Sequence, residues 1–358
     1  MPKPPRSPVL DILQGGGSAP TDIARASGSA IASIPGQQER RTTVFRALML
    51  KMTFTRPTCL AVGLAAIAAL SLAALPIDAQ RATREQHIYV SVATGEDAPI
   101  ADLKPTEFTV REDGVAREIL RATTPAAPPT HLALLVDDSA VAQPAIADLR
   151  TGLTSFVKKM MGSANGLQMS FMTFGERPTR QVDFTPNSET LDKAVGRVFH
   201  RTGAGAYFME AILDVCKDFR KREAARPVIV AFVIDRGPEF SSAIHQQVED
   251  ALKAVGASLW TIVLQEGPQS LGSTEMRERA IVIGDVTRDS GGDNKTVLSR
   301  QAIESAFLSR VALLTSRYDV VYGRPESLVP PTKLEVTVSR KDTRVSAPRW
   351  LTTKPATK

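Results

Sequence analysis

Two groups of polar residues follow two long apolar runs, and their residue types are the ones in this chain best suited to chemistry. The Asp-Asp-Ser triplet at 137–139 comes directly after the run 132–136, and the segment 235–239 comes after the run 227–234. Apolar runs of this length without alternation predict parallel strands buried on both faces. Ligands of open α/β sheets bind at the carboxyl ends of such strands, so the two groups predict one site at a sheet edge.

The carboxylates and the hydroxyl of the first group admit two interpretations. Oxygen ligands of this kind suit a hard divalent cation such as Mg²⁺. Asp and Ser also commonly cap the helix that follows a strand, which would give Asp137, Asp138 and Ser139 a structural role. The residue types leave both interpretations open.

No pattern in the chain predicts an enzyme. Ser139 lacks the surrounding G-x-S-x-G turn of a hydrolase nucleophile. The glycine-containing segment 161–166 lacks the lysine of a phosphate-binding loop. The four histidines lack metal-ligand spacing. We therefore expect no enzymatic activity, with a hydrolase based on Ser139 as the least favoured alternative.

Most of the net positive charge of the chain lies near its amino terminus. The 358 residues are 43% hydrophobic and carry a formal net charge of +6, which allows one large domain and a smaller one. Residues 1–79 hold eight basic and four acidic residues, and the remainder holds 36 basic and 34 acidic residues. A nearly neutral body without interleaved aromatic and basic residues argues against nucleic acid as a partner.

Residues 47–79 have the pattern of a secretory signal peptide. A basic start precedes an apolar run from Cys59 to Leu75, and Ala79 supplies the small residue before the expected cut. The apolar run also approaches the length of a membrane anchor, which is the alternative. Residues 1–46 predict a disordered extension or a misassigned start. We expect a periplasmic or extracellular protein that meets the membrane only through its export signal.

The middle of the chain predicts the main domain. Between residues 131 and 322, apolar strands alternate with amphipathic helices. This order is typical of an α/β fold with a doubly wound, mostly parallel sheet and helices on both faces. The sequence predicts Ser188 as the residue that caps one of these helices.

Shorter β segments flank this domain. Residues 80–122 predict a small β segment that turns at 113–114, and residues 323–358 predict a C-terminal hairpin and tail that turns at 341–342. Neither segment is long enough to be stable alone. Because domain termini often lie close together, we expect the two segments to pair in one small satellite sheet.

Several motifs resemble the von Willebrand factor type A family, in particular its secreted bacterial members. The resemblance covers most of residues 86–350. It is carried by the upstream segment 106–114 (TEFTVREDG), the first strand 134–139 (LLVDDS), the glycine turn 290–292 (SGG) and the last strand 318–322 (YDVVY). It implies a doubly wound α/β domain that binds proteins, with a divalent cation at the sheet edge held by D-x-S-x-S, a Thr and an Asp from three loops.

This chain departs from the implied cation site at three of five positions. Asp137 and Ser139 match, but Val141 stands at the third position, Ala206 at the Thr and Arg236 at the Asp. We therefore expect a degenerate site without a cofactor, in which Arg236 pairs with Asp137 in place of the cation. The alternative is an adhesion domain that binds Mg²⁺ or Mn²⁺ through Asp137 and Ser139, with Thr202 and Asp235 as further ligands.

The sequence thus predicts an exported, non-enzymatic protein-binding module of the von Willebrand factor type A kind. Its partner is expected to be an unidentified protein at the cell envelope. The residues expected to contact that partner lie at the sheet edge: Asp137, Asp138, Ser139, Arg236 and Glu239.

Overall fold

The computed structural model describes residues 83–126, 131–267, 272–325 and 330–351. The signal peptide predicted at 47–79 and the extension at 1–46 lie outside the described residues. No helix of the described part is long and apolar enough to span a bilayer.

The described strands and helices alternate in the middle of the chain, as the hydrophobic pattern predicts. The strands are β1 (Thr83–Thr94), β2 (Phe108–Glu112), β3 (Val115–Arg117), β4 (Ile119–Thr123), β5 (His131–Val136), β6 (Gln168–Thr173), β7 (Thr179–Thr185), β8 (Val228–Ile234), β9 (Ser258–Leu264), β10 (Asn294–Val297), β11 (Tyr318–Pro325), β12 (Leu334–Val338) and β13 (Thr343–Ser346). The helices are α1 (Ile146–Ser163), α2 (Ser188–Val195), α3 (Phe208–Lys221), α4 (His245–Val255), α5 (Thr274–Ile281) and α6 (Ile303–Thr315). A π turn at Val282–Val286 and a short helix at Thr287–Asp289 continue α5.

A six-stranded sheet in the order β10-β9-β8-β5-β6-β7 forms the centre of the molecule. Its neighbouring strands are parallel except β6 and β7, which pair antiparallel. Strand β5 lies inside the sheet between β8 and β6. The predicted doubly wound, mostly parallel α/β fold is confirmed.

Helices cover both faces of this sheet because its strands alternate their side chains between two apolar cores. Leu132, Leu134 and Val136 of β5 face one core, which also contains residues of α1, α2 and α6. Ala133 and Leu135 face the other core, with residues of α3 and α4. Every residue of β8 is buried, which explains its unbroken apolar run.

The flanking segments form two satellite sheets instead of the single one predicted. One sheet has the order β13-β1-β11-β4, and the other has the order β12-β2-β3. The predicted turn at 113–114 is present: Asp113 and Gly114 both have positive φ, at 48° and 83°, and they join β2 to β3. Each sheet combines strands from both ends of the chain.

Three sequence predictions are wrong at the level of pairing and capping. The predicted C-terminal hairpin does not form, because β12 pairs with β2 and β13 pairs with β1. Strand β11, predicted as the last strand of the α/β domain, is not part of the parallel sheet. It pairs antiparallel with β1 and β4. Asn187, not Ser188, caps α2 by accepting a hydrogen bond from the Thr190 N–H. A hydrophobic pattern defines strands but does not specify their partners.

Candidate binding site at the carboxyl edge of the sheet

The strand order changes direction beside β5. After β5 the chain adds β6 on one side, and it adds β8, β9 and β10 on the other. In open α/β sheets, ligands bind outside the carboxyl ends of the strands at such a reversal. The segments after β5 and β8, residues 137–141 and 235–241, meet there with residues 202–207. We call this region the carboxyl edge.

Asp137 is completely buried at the carboxyl edge, with 0% of its surface exposed. Its Oδ1 accepts a hydrogen bond from the Ser139 N–H at 3.0 Å, and its Oδ2 accepts one from the Ile234 N–H at 3.2 Å. Burial raises the pKa of this carboxyl above its ordinary value, although the side chain of Ser139 and the charge of Arg279 favour the ionised form. Asp137 therefore ties the end of β5 to the end of β8.

Glu239 is the second buried carboxyl group of the carboxyl edge, and 2% of its surface is exposed. Its Oε1 accepts the N–H of Phe208, the first residue of α3, at 2.9 Å, and it also accepts the hydroxyl of Ser241. Glu239 thus satisfies an N–H at the start of α3 that has no partner inside the helix. Burial raises the pKa of Glu239 to about 7, and the nearby charge of Asp137 adds to the rise.

Arg279 of α5 brings a buried positive charge to these two carboxyl groups. Its Nη2 donates to the backbone carbonyl of Asp235 at 2.8 Å, and its Nη1 lies 3.7 Å from the Glu239 Oε2. That distance exceeds a hydrogen bond, and neither atom has another hydrogen-bond partner among the described residues. The Arg279 charge lowers the pKa of both Asp137 and Glu239, against the larger effect of burial.

The predicted ion pair between Arg236 and Asp137 is wrong. Arg236 is exposed, and among the ion pairs of the described residues none joins it to Asp137. The chain turns directly after Arg236, at Gly237, which has a φ of 108°. Arg279 reaches the buried position from α5 instead. A cation does stand beside Asp137, but helix α5 supplies it and the turn after β8 does not.

The remaining predicted site residues have separate environments. Asp138 accepts the Gly175 N–H at 2.6 Å and the Arg201 Nε at 3.0 Å, and it therefore holds the loop after α2 against the end of β6. Burial raises the pKa of Asp138 in spite of these bonds. Asp235 is buried. Thr202 is exposed, one residue after Arg201.

Apolar side chains occupy two of the three positions at which the sequence departs from the expected ligands. Val141 packs on the turn after β8: a Cβ atom added to Gly237 would lie 2.9 Å from its Cγ1. Ala206 is buried and forms backbone bridges to Gly175 and Glu239. Neither side chain offers an oxygen to a cation.

The groups at the carboxyl edge do not fit a divalent cation. A guanidinium stands beside the two carboxyl groups, and its charge opposes that of a metal ion. Both oxygens of Asp137 already accept backbone N–H groups. Within the described ranges, no group of three or more His, Cys, Asp or Glu side chains is arranged to hold a metal ion.

Apolar side chains are exposed at the surface of the carboxyl edge. Phe240 is 51% exposed and Ile244 is 46% exposed. The ring of Tyr207 lies 6.0 Å from that of Phe240 in an edge-on arrangement. Arg236 is exposed four residues before Phe240. Asp137, Asp138, Ser139 and Glu239 are all buried, so Arg236 is the residue of the predicted contact set that stands at the surface.

Sequence reasoning missed Arg279, although a signal for it exists. Arg279 lies three residues before Val282 and seven before Val286, both of which are buried in the core. That spacing places Arg279 on the inward stripe of its helix. A charged residue on an inward stripe predicts a buried partner of opposite charge.

No family model matches this chain, and no curated protein matches it significantly. Solved structures do resemble it. A von Willebrand factor type A protein from Catenulispora acidiphila has a TM-score of 0.43 and 9% identity, covering 76% of this chain and 75% of that one. The von Willebrand factor domain of the pilus tip protein Mfa5 from Porphyromonas gingivalis has a TM-score of 0.39 and 11% identity, covering 52% and 95%. BatB from Bacteroides thetaiotaomicron has a TM-score of 0.39 and 11% identity, covering 51% and 98%.

At such low sequence identities, the comparisons show a similar fold and nothing about the site. The roles of the site residues are therefore inferred from the geometry of this chain alone. The solved structures that this chain resembles include von Willebrand factor type A domains, bacterial ones among them, as its motifs predicted.

Proposed function

We propose that this chain is an exported, non-enzymatic module that binds another protein of the cell envelope at the carboxyl edge, without a divalent cation. One observation carries the proposal. The buried interior of the edge is held by Arg279 with Asp137 and Glu239, while its surface presents Phe240, Ile244 and Arg236.

The exposed residues support a protein as the ligand. Aromatic side chains and arginine are the residue types that contribute most to binding energy in protein interfaces. Exposed apolar side chains that stand together, with a charged neighbour, mark interaction surfaces. Phe240 and Ile244 lie four residues apart in one loop, and Tyr207 supports the Phe240 ring from the side.

The buried groups support independence from metal ions. In a cation-dependent site, the partner completes the coordination of the metal with its own oxygen ligand. Here Arg279 supplies the positive charge from within the fold, and two expected oxygen ligands are replaced by Val141 and Ala206. Ser139 is buried and bonded to Asp137, which argues against a role as a nucleophile.

The pattern of residues 47–79 supports export, because it combines a basic start, an apolar run and a small residue before the expected cut. Sequencing the amino terminus of protein recovered from outside the cytoplasm tests this part. We expect it to begin near Gln80, whereas a product that keeps the apolar run would favour a membrane anchor.

Affinity capture with the tagged full chain tests the binding surface. Bait is exposed to an envelope extract of the source organism in the presence of either EDTA or Mg²⁺. We expect the same partner in both conditions, and we expect Phe240→Asp and Arg236→Asp to lose it. Val115→Asp is the matched control, because Val115 is 56% exposed but lies in strand β3, which belongs to the satellite sheet β12-β2-β3.

Two results would contradict the proposal. Capture that requires Mg²⁺ and is lost in Asp137→Ala would favour the metal-dependent alternative, with ligands drawn from Asp137, Ser139, Thr202 and Asp235. Capture that is unchanged in Phe240→Asp and Arg236→Asp would place the binding surface elsewhere.

A further inference from the structure

A cavity of about 280 Å³ opens at the opposite end of the six-stranded sheet from the carboxyl edge. It lies beside Pro227, the residue before β8, and Ser258, the first residue of β9, and Tyr89 of β1 forms another part of its wall. The cavity therefore lies between the parallel sheet and the satellite sheet that contains β1. We call it the basal cavity.

Two arginines line the basal cavity. Arg317 is only 5% exposed, and its guanidinium carbon lies 5.6 Å from the centre of the Tyr89 ring. The guanidinium carbon of Arg226 lies 5.8 Å from the same ring. Two cations are thus gathered around one aromatic side chain.

The guanidinium groups of the basal cavity lack the partners that buried arginines normally have. The Nε and Nη2 atoms of Arg317 and the Nε of Arg226 are buried without a hydrogen-bond partner among the described residues. In the same part of the chain, no carboxylate forms an ion pair with either guanidinium. Burial, together with the nearby charge of Arg226, lowers the pKa of Arg317 to about 10.

Other buried arginines of this fold have the acidic partners that Arg317 and Arg226 lack within the described ranges. Arg310 is fully buried and forms ion pairs with Asp97, at 3.2 Å, and with Asp293. Arg279 lies 3.7 Å from a Glu239 oxygen. A buried charge without a counter-ion is strongly unfavourable. The Arg317 guanidinium is therefore a buried cation without a counter-ion in the described part of the chain, as expected of a residue that binds an anionic ligand.

We propose that the basal cavity binds a small organic oxyanion, a carboxylate or phosphate group attached to an apolar body. Arginine binds such groups through paired hydrogen bonds, and the guanidinium groups of Arg317 and Arg226, which line the cavity, supply the donors. The walls formed by Pro227, Val255 and Trp350 suit the apolar body. The cavity volume of about 280 Å³ is larger than the volume of several water molecules, at roughly 30 Å³ each. A ligand that fits this volume is a small molecule.

Calorimetry and thermal unfolding of the full chain with benzoate, phenyl phosphate and inorganic phosphate test this proposal, with sodium chloride at equal ionic strength as the reference. We expect saturable binding of benzoate or phenyl phosphate and a rise in Tm that sodium chloride does not reproduce. Arg317→Met and Arg226→Met should each weaken binding by about 10-fold or more, because each removes charged donors. Preference between benzoate and phenyl phosphate distinguishes a carboxylate from a phosphate ligand.

The stability of the ligand-free variants gives a second and independent reading. Arg317→Met should unfold at the same temperature as wild type or a higher one, since it removes a buried charge that has no partner. Arg310→Met is the matched control and should unfold at a lower temperature, because it removes a buried cation that forms ion pairs with both Asp97 and Asp293.

Three results would overturn the proposal. The first is the absence of binding that depends on Arg317, because either none of the three probes binds or a probe binds wild type and Arg317→Met with equal affinity. The second is that inorganic phosphate binds as tightly as phenyl phosphate, which would remove the apolar body from the ligand. The third is a lower Tm of ligand-free Arg317→Met, which would show that another part of this chain already pairs with the guanidinium.

Discussion

The chemistry of the carboxyl edge depends on one guanidinium beside two buried carboxyl groups. Asp137 and Glu239 both have raised pKa values because burial penalises their ionised forms. Arg279 opposes that effect through its charge and also donates to the Asp235 carbonyl. Removing any one of these side chains changes the protonation of the others, so their effects should not be additive.

Replacing Arg279 with Met should destabilise the fold. At pH 7 the change leaves buried carboxyl groups without their cation, and breaking a buried ion pair in this way costs about 3–5 kcal/mol. The cost should shrink at acidic pH, where the carboxyl groups become protonated. Arg277→Met is the control, because Arg277 is exposed on the same helix, and its effect should stay within about 0.5 kcal/mol. Equal effects of the two changes in urea unfolding would contradict this account.

Glu239 should make stability depend on pH. Its pKa in the folded protein is about 7, against an ordinary value of 4.5. The folded state therefore binds more protons than the unfolded state between these pH values. The Glu239 contribution to stability is complete below pH 4.5 and is lost as the pH rises to about 7, by up to about 3 kcal/mol.

The Glu239→Gln variant provides the comparison for this prediction. Glutamine keeps an oxygen that can accept the Phe208 N–H but does not titrate. The difference in unfolding free energy between wild type and variant, measured from pH 4 to 8, should therefore change across this window. A constant difference would show that Glu239 titrates at its ordinary pKa.

The sequence predicted part of this residue-level picture. The motif at 137–139 identified Asp137 and Ser139, and 235–239 included Glu239. The sequence predicts Arg236 as the buried cation because it stands at the position where the resemblance implies an Asp ligand. The turn at Gly237 and the approach of α5 decide which arginine enters the interior, and both depend on tertiary packing.

At the scale of elements, close backbone packing at one glycine connects α5 and its continuation to the central sheet. A Cβ atom added to Gly292 would lie 1.6 Å from the carbonyl oxygen of Leu259 in β9. Ser290 donates from the same turn to the Thr287 carbonyl and accepts the Leu259 N–H at 2.9 Å. The turn therefore sets the position of β9 relative to the helix that carries Arg279.

Gly292→Ala should destabilise the protein by about 3 kcal/mol or more, because the clash is with backbone and cannot be relieved by a side-chain rotation. Gly162→Ala is the matched control: a Cβ there meets nothing within 4 Å, and alanine favours helix α1. Thermal unfolding should show a lower Tm for the first variant and an unchanged or higher Tm for the second. A tolerated Gly292→Ala would contradict the close approach.

The order and type of most elements could be predicted from hydrophobic spacing, since helices and strands have different periods. Strand pairing could not. Residues 334–338 and 343–346 have the alternation of a hairpin, yet β12 pairs with β2 and β13 with β1. The side chains of both strands suit either arrangement, and long-range packing selects between them.

At the scale of the whole molecule, the two ends of the chain complete the main domain. Asp97, from the segment after β1, lies between Arg310 of α6, Lys295 of β10 and Arg344 of β13. The pKa of Asp97 is lowered overall. Burial acts to raise it, but the hydrogen bonds from Lys295 and Arg344 and the charge of Arg310 have the larger combined effect. This cluster joins the satellite sheet to the parallel sheet.

The fragment 131–322 should therefore fold less stably than the full chain, although its boundaries match the predicted domain. It lacks Asp97, which leaves Arg310 with fewer partners, and it lacks the β1 and β4 neighbours of β11. Binding of the dye ANS and a lower Tm than that of the full chain would report the exposed surface. Equal stability of the fragment and the full chain would contradict the coupling.

Titration of Mg²⁺ and Mn²⁺ into the full chain by calorimetry distinguishes a cation-free carboxyl edge from a metal-dependent one. We predict no saturable heat of binding to the carboxyl edge and no rise in Tm with either ion, because Arg279 already supplies the positive charge beside Asp137 and Glu239. Stoichiometric binding that raises the Tm of wild type and is lost in Asp137→Ala would contradict this prediction.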